Sequence, residues 1–312
     1  MYEENESPIE SLVHLYVDGA FSRRELIQRV ALHTGSIAAA IAALSGINEA
    51  RAETGNSCPA DANVAADDKD LTVSDVQFPG EAGAVFGHLA YPKLGDPPDF
   101  SRKLPGVLVI HENRGLVEHI RDVTRRVARG GFVALGVDLL SRQGGTPQFT
   151  DPADLARAYS QTTVDGRLAD MNSAFAFLKS HALVLPGRIG AVGFCAGGGN
   201  VWNLAVNQEE LAAAVAFYGT PLPSAEQIER IKCPVLGIYA ELDRNLTLGT
   251  TNVITAMINQ RKTFGFHIYQ GVGHAFHNDT GPAYDSTASC DAWNRTLLWF
   301  YKFLQPPAAT AS

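Results

Sequence analysis

From residue 71 onward, short apolar runs alternate with longer amphipathic segments along the chain. The apolar runs predict strands over residues 73–78, 85–91, 107–111, 132–137, 189–194, 213–218, 235–240 and 266–269. From residue 107, most of these runs are continuously apolar, which is typical of strands that are covered on both faces.

Helices are predicted between these strands, over residues 118–129, 153–160, 164–181, 198–207, 250–259 and 288–304. In the third of them, apolar residues recur at intervals of three and four, so one face is buried. This alternation predicts an α/β protein with a mostly parallel central sheet flanked by helices. The first two strands have no helix between them, and we expect them to form an antiparallel hairpin at one edge.

The segments outside this pattern divide the rest of the chain. Residues 1–52 fit either an N-terminal helical extension or a twin-arginine export signal, because Arg23 and Arg24 precede an Ala-rich stretch and a small-x-small tripeptide at 50–52. The first alternative predicts amphipathic helices near 8–18 and 23–44 and a cytoplasmic protein, and the second a periplasmic one. Residues 53–70 are predicted to be a linker, 71–306 the main domain and 307–312 a tail.

Composition and charge exclude several classes of function. The net charge is −8 without a basic stripe, which argues against nucleic acid as a partner. No apolar run reaches the roughly 20 residues that span a bilayer. Cys58, Cys195, Cys233 and Cys290 lack C-x-x-C spacing, so neither a metal site nor a disulfide framework is expected.

Cys195 lies in a sequence context that indicates chemistry. An apolar strand leads into Gly-Phe-Cys-Ala-Gly at 193–197, and a helix follows at once. This is the G-x-S-x-G turn that presents a nucleophile in hydrolases, with cysteine in place of serine. The dipole of the following helix, together with a nearby histidine, favours the thiolate.

A nucleophile of this kind needs an acid and then a histidine later in the chain, each after a strand. Asp243 follows the strand at 235–240, and His274 follows the strand at 266–269. Because the carboxyl ends of parallel strands meet at one edge, we expect both residues to reach the thiol. Glu241, His267 and His277 are alternatives close in sequence, and His277 is the more serious rival.

Residues 71–304, about three quarters of the chain, resemble the dienelactone hydrolase (carboxymethylenebutenolidase) family. The matching segments are His-Glu-Asn-Arg-Gly-Leu at 111–116, Gly-Phe-Cys-Ala-Gly-Gly around Cys195, the turn at Asp243 and Gly-His-Ala-Phe at His274. The resemblance implies an α/β-hydrolase fold and hydrolysis of a lactone through an acyl-enzyme. No cofactor is expected, because such a triad supplies nucleophile, base and oxyanion stabilisation itself.

The same resemblance implies roles for residues around the nucleophile. The backbone N–H groups of Asn113 and Ala196 would form the oxyanion hole. Glu112 would pair with the resting thiol and help to deprotonate it once substrate binds. From the residues alone, the alternative for Glu112 is a salt bridge to Arg114 or Arg121.

The resemblance is weakest in the substrate pocket. Tyr159, Arg114 and Asn278 are the expected pocket residues. Where the family holds a substrate carboxylate with two arginines, this chain has Leu155 and Asn278, neither of which is cationic. Dienelactone itself is therefore a doubtful substrate, since two-point carboxylate recognition is lost.

We expect a hydrolase for a small ester or lactone. A thioesterase or a carboxylesterase for neutral substrates on the same scaffold is one alternative. A non-catalytic binding protein of the same fold is another, and it would leave Cys195 no more reactive than Cys233. The sequence leaves open whether the chain forms a homodimer.

Overall fold

The computed structural model describes residues 63–95 and 103–305. The predicted export signal, the two N-terminal helices and the tail lie outside these residues. A single eight-stranded sheet has the order β1-β2-β4-β3-β5-β6-β7-β8. Its strands are β1 (Leu71–Gly80), β2 (Gly83–Pro92), β3 (Leu104–Ile110), β4 (Val133–Asp138), β5 (Val184–Phe194), β6 (Ala213–Phe217), β7 (Val235–Ala240) and β8 (Phe264–Tyr269).

Helices cover the sheet between the strands. They are α1 (Glu118–Arg129), α2 (Pro152–Ser160), α3 (Val164–Ser180), α4 (Ala196–Asn207), α5 (Ala225–Arg230), α6 (Arg244–Asn259) and α7 (Ser286–Leu304). The six predicted helices are confirmed, with shifts mainly at their ends. The sequence did not predict α5, because six residues are too few to show a helical period; a capping box at Ser224 begins it.

The sheet combines a parallel centre with one antiparallel edge. From β4 through β8, all neighbouring strands pair in parallel, and every residue of β3 is buried. β1 and β2 form the predicted antiparallel hairpin, which joins the sheet because β2 also pairs antiparallel with β4. The carboxyl ends of β3, β5, β7 and β8 therefore lie along one edge, where the candidate chemistry is expected.

Residues 63–70 pack against α1, although the sequence predicts a linker there. Val64 is buried, and its N–H donates to the Asp122 carboxylate at 2.6 Å. The Val64 carbonyl accepts from Arg125 Nε, also at 2.6 Å. These contacts use backbone groups, which a polar sequence without periodicity cannot reveal.

The cysteines differ from the expectation in one respect. Cys195 and Cys233 are free thiols, whereas Cys290 is disulfide-bonded. The sequence did not predict the bond of Cys290, because the spacing of the cysteines showed no disulfide framework.

Over the described ranges, no helix has both the length and the apolarity needed to cross a bilayer. The same residues contain no cluster of three or more His, Cys, Asp or Glu side chains suited to hold a metal ion.

Candidate active site

Cys195 occupies a sharp turn between β5 and α4. Its φ is 55°, a conformation that residues other than glycine seldom adopt. A hydrogen bond to the neighbouring strand stabilises the turn, since the Cys195 N–H donates to the carbonyl of Phe217 on β6 at 3.1 Å. The chain thus reverses at the end of a buried strand, and the thiol stands at the N-terminus of α4.

Two glycines make this turn possible through close approach of the backbone. A Cβ atom on Gly193 would lie 2.3 Å from the carbonyl oxygen of Gly197. A Cβ atom on Gly197 would lie 2.3 Å from the carbonyl oxygen of Ile110, at the end of β3. Only glycine fits at either position without moving the backbone, which is the physical reason for the sequence pattern around Cys195.

Asp243 and His274 come together because the loops after β7 and β8 are tied to each other. The Leu242 N–H donates to the carbonyl of Val272 at 3.0 Å. His274 Nδ1 lies 2.5 Å from Asp243 Oδ2. The two loops thus bring a carboxylate to one nitrogen of the imidazole.

The imidazole of His274 also contacts the thiol of Cys195. A side-chain hydrogen bond joins His274 and Cys195, and it is the main cause that raises the pKa of His274 to about 9. Burial opposes this increase, and the hydrogen bond and charge of Asp243 add to it. The structure therefore brings the three candidate residues into one chain of contacts, from thiol to imidazole to carboxylate.

The sequence alternatives lie elsewhere. Glu241 accepts from the Gly271 N–H at 2.8 Å and so braces the loop. His277 is fully buried, with its ring 4.9 Å from that of Phe194. His267 lies on β8, 4.0 Å from a carboxylate of α7. None of these three has a described contact with the thiol.

Comparison with known proteins identifies the family. The model of the dienelactone hydrolase family matches residues 93–304, more than half of the chain. The chain belongs to the dienelactone hydrolase family. It is therefore a hydrolase, and the sheet described above is that of the α/β-hydrolase fold.

Individual members of the dienelactone hydrolase family agree with this assignment. A predicted carboxymethylenebutenolidase of Methylorubrum extorquens is 31% identical over 255 residues, which cover 78% of this chain and 86% of that protein. A predicted 2-oxo-3-(5-oxofuran-2-ylidene)propanoate lactonase of a Bradyrhizobium species is 30% identical, over 65% of this chain and 85% of that protein. The crystal structure of a predicted dienelactone hydrolase from Klebsiella pneumoniae has a TM-score of 0.67 at 27% identity, covering 75% of this chain and 99% of that one.

Glu112 has a different partner from the one that the family resemblance implies. Its Oε2 accepts from Asn278 Nδ2 at 3.0 Å. The amide of Asn278 cannot rotate away, because its Oδ1 accepts from the N–H and the hydroxyl of Thr280 at 3.0 and 2.7 Å. The other carboxylate oxygen, Oε1, is buried and has no hydrogen-bond partner among the described residues.

The two arginines that the sequence offered as partners of Glu112 lie in other environments. Arg121 donates to Asp75 at 2.6 Å, and Arg114 is exposed on the loop after β3. The salt bridge that the sequence left open is thus not formed with Arg121. Asn278, which is expected in the substrate pocket, donates a hydrogen bond to the carboxylate of Glu112.

His111 fixes the peptide that joins Glu112 and Asn113. The Leu139 N–H donates to His111 Nε2 at 2.9 Å, so the ring proton of the neutral imidazole is on Nδ1. Nδ1 therefore donates to the carbonyl of Glu112, at 2.5 Å. Complete burial lowers the pKa of His111 and keeps it neutral. In a trans peptide the C=O and the following N–H point in opposite directions, so the N–H of Asn113 points away from His111.

Of the expected pocket residues, Tyr159 lies on a helix before the nucleophile. Tyr159 and Leu155 are both buried on α2. The Tyr159 hydroxyl accepts from Asn200 Nδ2 at 2.8 Å, and Arg167 donates to Asn200 Oδ1 at 3.1 Å. Sequence analysis did not single out Asn200, Arg167 or His111, since each acts through a partner distant in sequence. A polar residue inside a buried segment was the only signal.

Proposed function

We propose that the chain hydrolyses a small ester or lactone through an acyl-enzyme on Cys195. The observation that supports this most is the continuous contact from Cys195 to His274 to Asp243. The arrangement is that of a nucleophile, a general base and a carboxylate that orients the base. The related Bradyrhizobium protein, named as a lactonase, supports the class of substrate.

In the proposed reaction, His274 in its uncharged form, which becomes the major form above its pKa of about 9, takes the proton of the thiol, and the sulfur attacks the carbonyl carbon. The tetrahedral intermediate collapses when the C–O bond breaks, and His274 returns the proton to the departing alkoxide oxygen. Water, deprotonated by His274, then attacks the thioester and releases the carboxylic acid and the thiol. Asp243 holds the ring through Nδ1, so that Nε2 faces the sulfur throughout.

The N–H groups of Asn113 and Ala196 are the proposed oxyanion donors. Ala196 is the first residue of α4, where a backbone N–H has no partner within the helix. The peptide before Asn113 is held by the buried His111. A donor fixed in advance is worth most in a transition state, because it needs no reorganisation.

Glu112 is the proposed auxiliary acceptor for the thiol proton. Asn278 holds one carboxylate oxygen, which leaves Oε1 as a buried acceptor available in the site. A fixed carboxylate also repels an anionic substrate, and neither Leu155 nor Asn278 offers a positive charge. We therefore propose a neutral ester or lactone as the substrate, which favours a carboxylesterase-like use of this scaffold over a dienelactone.

The test is hydrolysis of 4-nitrophenyl acetate by wild-type protein and by Cys195→Ala. The substitution should abolish enzymatic turnover, and mass spectrometry of quenched wild-type protein should show an acetyl group on the peptide that contains Cys195. Cys233→Ala, which removes the other free thiol, is the matched control and should retain activity. Full activity in Cys195→Ala would remove the proposed nucleophile, and a panel of lactones, thioesters and aryl esters ranks the substrate classes.

A further inference from the structure

We propose that Asn200 and Arg167 are positioning residues, which make the Tyr159 hydroxyl a hydrogen-bond donor to the substrate. The substrate would accordingly carry an acceptor oxygen close to its scissile carbonyl group. This inference rests on the proposed hydrolase function and adds to it a chemical requirement on the substrate. It follows from the direction of the hydrogen bonds that connect Arg167, Asn200 and Tyr159.

Arg167 sets the orientation of the Asn200 amide. A guanidinium group can only donate, so the atom of Asn200 that meets Arg167 Nε at 3.1 Å must be the carbonyl oxygen. Arg167 is itself held, because its Nη1 donates to the carbonyl and the hydroxyl of Thr162 at 3.0 and 2.6 Å. The opposite orientation of the amide would place N–H groups against N–H groups. The amide nitrogen of Asn200 therefore faces Tyr159.

Asn200 in turn determines what the Tyr159 hydroxyl can do. The amide nitrogen, 2.8 Å from the phenolic oxygen, is a donor, so that oxygen accepts. The phenolic proton is left for a different acceptor, and among the described residues the hydroxyl has no second hydrogen-bond partner. Burial raises the pKa of Tyr159, which keeps this proton in place. The result is a protonated donor without an acceptor in the protein.

The donor lies beside the proposed nucleophile. Asn200 is five residues after Cys195 on α4, a rise of about 7.5 Å along the helix axis. The charge of Cys195 acts on the Tyr159 hydroxyl, which adds to the increase in its pKa. The Tyr159 ring also packs edge-on against His111 at 6.0 Å, next to the peptide of the proposed oxyanion hole. A substrate with its carbonyl at Cys195 would therefore pass close to this hydroxyl.

The stacking of Arg167 on the Tyr159 ring also supports a fixed position for the Tyr159 hydroxyl. The Arg167 Cζ lies 5.0 Å from the centre of the Tyr159 ring. Both Asn200 and Tyr159 are less than a tenth exposed, so neither can exchange its partner for bulk water without disturbing the packing. The chain of contacts thus holds the donor in one place and in one polarity before substrate arrives.

Asn200→Asp is the decisive substitution because it keeps the shape and reverses the polarity. The ionised carboxylate can accept from Arg167 and from Tyr159, so the phenolic proton would turn to Asp and away from the substrate. Asn200→Leu removes the partner but leaves that proton free. A purely structural role predicts greater damage from leucine, whereas the proposed role predicts greater damage from aspartate.

The assay compares two aryl esters of equal size at pH 8, 4-nitrophenyl methoxyacetate and 4-nitrophenyl butanoate. The first has an ether oxygen where the second has a methylene group. We expect the ratio of their kcat/KM values to fall by about fivefold to tenfold in Asn200→Asp and in Tyr159→Phe, as for loss of one neutral hydrogen bond. The double variant should show no further loss, and Asn200→Leu should stay near the wild-type ratio.

An unchanged ratio in either Asn200→Asp or Tyr159→Phe, or a greater loss in Asn200→Leu than in Asn200→Asp, would overturn the inference. Melting temperatures of all variants separate these results from unfolding. Cys195→Ala is measured on both esters at the same time. Activity of wild-type protein no greater than that of Cys195→Ala would reject the proposed function, whereas activity with an unchanged ratio would reject only the role of Asn200 and Arg167.

Discussion

Gly197→Ala tests the geometry on which the proposed chemistry depends. The new Cβ atom would lie 2.3 Å from the carbonyl oxygen of Ile110 and 2.5 Å from that of His111. Since Cβ contacts below 3.0 Å essentially never occur, one backbone segment must retreat by about 0.7 Å or more. The contact involves carbonyl groups and not the end of a flexible side chain, so no rotamer change can relieve it.

The displaced segment leads directly into Glu112 and Asn113, so the proposed oxyanion hole would move with it. A misplacement of about 1 Å costs roughly 100-fold in rate, and we expect a loss of that order in kcat/KM. Overpacking of this kind destabilises a fold by about 1–3 kcal/mol. For a domain of this size, the melting temperature should therefore fall by roughly 2–12 °C.

The measurements are kcat/KM for 4-nitrophenyl acetate and the melting temperature, with Gly187→Ala as the matched control. Gly187 lies in β5, and a Cβ atom there would meet nothing within 4 Å. The control should retain wild-type kcat/KM and melt within about 2 °C of wild type, as surface substitutions do. If Gly197→Ala were indistinguishable from Gly187→Ala in both measurements, the close approach of the backbone described here would be refuted.

Two further predictions concern the thiol and the imidazole. In Asp243→Asn, the pKa of His274 should fall from about 9 towards 6.5, because one of its stabilising contacts is weakened; an NMR titration of the ring protons would show it, and an unchanged pKa would contradict the assigned contact. Iodoacetamide should alkylate Cys195 at least about 100-fold faster than Cys233, because the thiolate is the reactive form and burial raises the pKa of Cys233 to about 12. Peptide mapping by mass spectrometry measures both rates, and equal rates would contradict the proposal that Cys195 is the nucleophile.

The sequence predicted the sheet, six of the helices and the nucleophile turn because each leaves a local pattern. Cys195 lies between glycines that no other residue type can replace, and that constraint is visible in a pentapeptide. The partner of Glu112 was not predictable, since Asn278 is 166 residues away and its amide direction depends on a further contact. The same holds for His111, whose proton position is decided by the backbone N–H of Leu139, just after another strand. The packing of residues 63–70 also escaped prediction, because polar backbone contacts have no periodicity.

The buried position of His111 has a consequence for how the protein responds to acid and alkali. Its pKa is lowered and that of His274 is raised to about 9, so near neutral pH one ring is uncharged while the other is an imidazolium. Unfolding returns both to about 6.5. Below pH 6.5 the histidine at position 111 is protonated in the unfolded chain but remains uncharged in the folded chain. The free energy of unfolding therefore falls as pH decreases. Between 6.5 and 9 the folded chain holds the proton on His274 that the unfolded chain has lost, and this stabilisation fades as pH rises. The two histidines therefore change the stability of the fold in opposite directions as pH rises, and their combined contribution to stability is greatest close to pH 6.5.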